Sequence, residues 1–111
     1  MLESTNINEK GLMIIKVIED FVAKQNKRFD ELELDITFDL KQVGFYSKTD
    51  WKNRGEEYCL ESDVVMSYDG GFMHHVMNDN WEMREDLEKD LEKIGLYMEP
   101  GYSWCCGFYA I

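Results

Sequence analysis

The residues most able to do chemistry in this chain are Cys59, Cys105, Cys106, His74 and His75. The adjacent thiols sit in the stretch GYSWCCGFYAI, where they could serve a metal, a thiol reaction or plain burial. Structural zinc sites pair their ligands at C-x₂₋₄-C or H-x₃₋₅-H, because a short turn then aims both at one ion. Neither spacing occurs here. Adjacent residues on a strand face opposite ways, so His74-His75 and Cys105-Cys106 each offer at most one ligand to a given side. Thiol catalysis needs a base and an oxyanion donor beside the sulfur. These cysteines lie in stretches dense in aromatics, where a neutral buried thiol is the ordinary state. No catalytic residue, metal or cofactor is therefore expected, and neither thiol of the pair should alkylate readily in the folded chain.

The carboxylates invite a second chemistry. Asp39-Leu40-Lys41 echoes the D-x-K half of a magnesium-dependent nuclease site. The triplet carries little weight among 23 acids, and a basic face for the substrate is missing. Asp69-Gly70-Gly71 lacks the frame of a phosphate-binding loop and reads as a turn. A small metal-dependent or thiol enzyme stands only as an alternative reading.

Charge is the more informative property. Against 12 Lys and Arg stand 23 Asp and Glu, a formal net charge of -11 with a pI near 4.5. That field repels phosphate backbones and anionic membranes, since binding either depends on Lys and Arg. It attracts a basic protein surface, including one that normally holds nucleic acid. The acids are clustered: residues 30–39 carry five and no base, as do residues 56–69. The expected binding surface is acidic, formed by Glu31, Glu33, Asp35, Asp39, Glu61 and Asp63. Trp51, among polar neighbours in KTDWKNRGEE, is the expected interface anchor.

These groups must be positioned by ordinary elements. Asn8 can cap a helix over about residues 8 to 27, with Leu12, Ile15, Ile18 and Val22 at helical spacing and Ile14, Val17 and Phe21 widening the stripe. In ELELDITFDL the period changes to 2, putting Leu32, Leu34, Ile36, Phe38 and Leu40 on one face and acids on the other, the pattern of a half-buried strand. Gln42 to Ser47 continues as a strand, and 48–57 as a polar loop. Glu57 to Tyr68 is the next strand. After the Asp69-Gly70-Gly71 turn, Phe72 to Met77 is either a short returning strand or an irregular lead into a second helix.

That helix begins near Asp79, with Glu82 completing a capping box and Met83, Leu87, Leu91 and Ile94 as its stripe. Gly95 ends it. Pro100-Gly101 turns the chain into a last strand whose two faces are both apolar, so the two thiols point apart. If the two acidic strands are neighbours, their outer faces form a negative lattice.

The order α-β-β-β-(β)-α-β predicts an α+β fold, two amphipathic helices on one face of a mainly antiparallel sheet of four or five strands. At 111 residues, 44% hydrophobic, the chain is expected to be a single domain with its own core. MLESTNINEK has no signal-peptide pattern, and the three cysteines do not suit a disulfide framework, so a cytoplasmic setting is expected. In its composition the chain resembles proteins encoded by phages and mobile elements, among them toxin-immunity proteins and inhibitors of nucleic-acid-binding enzymes. The resulting expectation is a non-enzymatic protein-binding module engaging a basic partner, itself a monomer or homodimer. A homo-oligomeric structural domain is a further alternative.

Overall fold

The computed structural model describes residues 2–3 and 6–111. Among these, the strands are β1 Leu2–Glu3, β2 Val43–Ser47, β3 Val64–Tyr68, β4 Leu96–Tyr102 and β5 Cys105–Ala110, and the helices are α1 Glu9–Glu31, α2 Lys48–Asn53, α3 Gly71–Asn78 and α4 Trp81–Glu92. The sheet order is β1-β2-β3-β5-β4. The pairs β2–β3, β3–β5 and β5–β4 are antiparallel, and β1 joins β2 in parallel. The fold is α+β.

The first helix starts where the sequence places it. Asn8 accepts the Gly11 N–H at 2.8 Å, satisfying one of the four unpaired donors of the first turn. It runs on to Glu31, past the end expected near residue 27, with Arg28 in its last turn. Favourable charge at a C-terminus stabilises an end without imposing one. Its buried line is Ile14, Ile15, Ile18, Phe21, Val22 and Gln25, while Leu12 is left on the surface.

Helices α1, α3 and α4 cover one face of the sheet. Phe21, Met73 and Leu87 meet Phe45, Met66 and Phe108 there. Alternation along β3 sends Val64, Met66 and Tyr68 into this core and Val65 to the other face. On that second face α2 lies over a smaller cluster of Trp51, Val65 and Cys105. The two expected helices, α1 and α4, thus share one face together with α3, and the short α2 lies on the other.

Several segments depart from expectation. Residues 48–53 form α2 inside the expected loop, and of the strand expected over Glu57 to Tyr68 only Val64–Tyr68 forms, 57–63 being turns and irregular chain. Residues 31–40 form no strand: α1 takes Glu31, a turn follows, and 34–40 is an irregular connector. Its backbone is bonded to α1 instead: Asn26 takes both polar groups of Phe38, and Leu34 N–H donates to Phe29 O. Residues 72–77 belong to α3, not to a returning strand. Phe72, Met73, Val76 and Met77 have a helical repeat that is merely short, and Gly70 and Gly71, at φ 85° and 74°, turn the chain into the helix.

The chain from 96 onward is a hairpin, with Ser103-Trp104 as its turn, where one final strand was expected. β4 is its outer strand, and Pro100 lies on that edge, where a missing N–H costs no ladder bond. α4 is capped by Asn80, whose Oδ1 accepts from Met83 N–H at 3.1 Å, so Asp79 is left to close α3.

Candidate functional site

The connector between α1 and β2 is held at its two ends and open between them. Leu34 N–H donates to Phe29 O at 3.0 Å, continuing the helix end. Further on, Phe38 packs edge-on against Phe29 and stacks on Phe72 at 4.0 Å between centroids. Ahead of the Phe38 anchor, Leu32, Leu34 and Ile36 stand 60%, 43% and 44% exposed. Glu31, Glu33 and Asp35 alternate with them and are exposed too. Glu33 sits at φ 58°, a left-handed turn conformation unusual for a residue with a Cβ.

Beside the connector lies a cleft of about 470 Å³. Ile36, Phe38, Asp39 and Lys41 line one wall, and Gly71 and His75, from the start of α3, line the other. Asp39 Oδ1 accepts from Lys41 N–H at 3.0 Å, tightening the turn before β2. The cleft is thus continuous with the exposed apolar and acidic residues of the connector.

The six acids expected to share one surface are separated into two groups. Glu31, Glu33, Asp35 and Asp39 stay near the C-terminal half of α1, because Asn26 and Phe29 hold the connector there. Asp63 accepts from Asn8 Nδ2 at 2.8 Å and pairs with Lys10, at the opposite end of α1. Glu61 pairs with Lys48 at 3.4 Å. A helix rises 1.5 Å per residue, so Glu31 and Lys10 are roughly 30 Å apart. No two-dimensional acidic lattice forms, since residues 31–40 are not a strand and Glu61 and Asp63 lie in the turns before β3.

Trp51 is not a surface anchor: it is fully buried. Ser47 Oγ accepts from Asp50 N–H at 3.1 Å and starts α2, which swings the indole inward. There its Nε1 donates to Tyr58 O at 2.8 Å, and its ring meets Tyr46 and Trp104. The S-x-x-D pattern at Ser47-Asp50 was the signal for this helix. Arg54 lies over the rings of Tyr46 and Trp51 at 4.6 and 5.1 Å. The tryptophan that does project is Trp81, 68% exposed, with Nε1 donating to Glu85 Oε1.

Of the soft ligands only Cys59 and Cys105 are brought together among the described residues. Cys106 faces the main core and Cys105 the smaller cluster, both fully buried. The Cys59 thiol comes up against Cys105: a Cβ on Gly101 would lie 3.1 Å from one sulfur and 3.2 Å from the other. Burial, first of all, pushes the Cys59 thiol up to about 11, and burial also raises that of Cys106. Neutral, shielded thiols of this kind are weak nucleophiles. His74 packs edge-on to Tyr68, while His75 lines the connector cleft.

Among the described residues no three His, Cys, Asp or Glu side chains gather as a metal-holding set, and no helix is long and apolar enough to cross a membrane. No family model matches the chain, and neither does any curated protein or solved structure with which it was compared.

Proposed function

We propose that this chain is a small, non-enzymatic protein-binding module that engages a basic partner through the connector at residues 31–40. The observation that carries the reading is the exposure of Leu32, Leu34 and Ile36 in alternation with Glu31, Glu33 and Asp35. Contiguous apolar side chains left in water mark contact surfaces more often than they mark neglect. Interleaved acids select the sign of what can cover them. An extended partner segment alternating basic and apolar residues would match both, and the net charge of -11 would speed its approach. Such a partner is typified by proteins that ordinarily hold nucleic acid, which makes an inhibitor or immunity-type role in the cytoplasm the fitting setting.

The test uses a synthetic peptide of alternating lysine and valine. Binding should weaken as salt rises, and the triple variant Glu31→Lys, Glu33→Lys, Asp35→Lys should lose at least roughly tenfold in affinity. A triple variant on α4, Glu82→Lys, Glu85→Lys, Glu92→Lys, makes the same change in net charge and should bind nearly as the parent does. Equal losses in the two variants would mean that net charge alone is at work, and the reading would fail.

A further inference from the structure

Two shallow cavities on the outer side of α1 run into one another. The first, of about 440 Å³, has Leu12, Met13, Val17 and Ile94 as its apolar floor. The second, of about 300 Å³, shares Val17 and Ile94 and continues along the helix to Lys24. Leu12 and Met13 are 47% and 53% exposed, so the floor is open to water. From Glu9 to Lys24 the groove follows roughly 22 Å of helix.

The rim is what distinguishes this surface. It carries three acids, Glu9, Asp20 and Asp90, and three bases, Lys16, Lys24 and Lys93. Lys16 pairs with Asp20 at 2.8 Å, Lys24 with Asp90 at 2.8 Å, and Lys93 with Asp90 at 3.5 Å. In a chain of net charge -11 this apolar groove has a border of equal acids and bases, five of the six paired with one another. A basic partner gains no attraction here. Two copies of the chain repel one another through their net charge, and a neutral rim is where that repulsion is locally relieved.

We propose that this groove is the contact between two copies of the chain, with α1 of one lying antiparallel to α1 of the other. A two-fold axis between Lys16 and Val17 makes the surface self-complementary, as a closed dimer requires. It puts Val17 of both copies beside the axis, with Leu12 and Met13 of each about one helical turn away on either side. It also sets Glu9 of each copy level with Lys24 of the other, since both lie the same number of residues from the midpoint. Side-by-side helices of this kind bury apolar ridges in grooves.

The sign of the salt effect separates this contact from the proposed binding of a basic partner. Salt weakens attraction between opposite charges, but here it screens repulsion between two acidic chains and should tighten the dimer. Sedimentation of the full chain over a range of concentrations, at low and high salt, should show a monomer–dimer equilibrium that shifts toward dimer as salt rises. Leu12→Asp with Met13→Asp, both at half-exposed positions, should raise the dissociation constant at least roughly tenfold. Lys24→Glu should weaken the dimer, and adding Glu9→Lys should restore part of the loss. Leu34→Ser with Ile36→Ser, on the connector, should leave the dimer intact. A chain that stays monomeric at every concentration, an undiminished dimer in the Leu12/Met13 variant, or a dimer lost through the connector variant would each overturn the proposal.

Discussion

The side-chain amide of Asn26 grips the backbone of Phe38 at both of its polar groups. Nδ2 donates to Phe38 O at 2.9 Å, and Oδ1 accepts from Phe38 N–H at 2.6 Å. A neighbouring strand would satisfy the same donor and acceptor, so one side chain of α1 stands in for a sheet edge. This fastening lets the connector run back along α1 while its apolar residues further toward Leu32 stay in water.

Asn26→Ala should therefore destabilise the fold by about 2 kcal/mol, the usual cost of leaving partly buried polar groups without partners. Urea unfolding measures the loss. Hydrogen exchange at Phe38 should quicken in the variant well before global unfolding does. A variant with parental stability and unchanged exchange would show that the grip is incidental.

Trp51 joins α2 and the Tyr58 carbonyl to the second face of the sheet. Trp51→Ala should cost about 4 kcal/mol, in the range for large aromatic truncations in a core. Trp51→Phe retains most of the packing but removes the indole donor, and should cost about 1–2 kcal/mol. Thermal or denaturant unfolding distinguishes the two. Surface placement of Trp51 would predict almost no change in either.

Ionisation of the buried thiols should be visible at alkaline pH. Cys59 rises from an ordinary value of 9.0 to about 11 on folding, with burial as the leading cause. Burial likewise raises Cys106 and the phenol of Tyr68. Each is an acid whose neutral form is favoured in the folded state, so the unfolded chain releases its proton first. Stability from Cys59 is then fully present below pH 9 and is lost as pH climbs toward 11. Denaturation midpoints measured across that window should fall. At neutral pH, alkylation should be slow throughout, with half-buried Cys59 modified before Cys105 or Cys106. Rapid labelling of Cys105 or Cys106 in the native state would contradict the burial seen here.

Gln25 is a polar residue on the buried face of α1, 2% exposed, and its Oε1 accepts no hydrogen bond from the described residues. An unsatisfied buried acceptor carries a desolvation cost, and methionine nearly matches glutamine in length. Gln25→Met should raise stability by about 1 kcal/mol in a urea titration. A loss instead would mean that the amide has a role the packing does not explain.

Where apolar spacing was long and regular, the sequence was legible. The cap at Asn8, the stripe of α1, the Met83-Leu87-Leu91 stripe of α4 and the alternation of β3 all follow from periods of 3.6 and 2. The opposed directions of Cys105 and Cys106 follow from the same alternation. Short helices were harder to read. α2 and α3 have 6 and 8 residues, too few for a period to stand out, and both depend on local caps and glycines.

The connector is the instructive case. ELELDITFDL has the period of a strand, but a period only says which side chains share a side of an extended chain. Whether that chain enters a sheet depends on what else its backbone can bond, and here α1 takes the polar groups of Phe38 and the Leu34 N–H. By itself the sequence determined the α+β class, the acidic character and the main apolar stripes, because these depend on residue type and local spacing. The tertiary structure alone decided that Trp51 is buried, that the six acids are split between the ends of α1, and that Leu32, Leu34 and Ile36 face water. Those outcomes depend on which segments, distant along the chain, compete for the same edge or face, and local spacing carries no record of that competition.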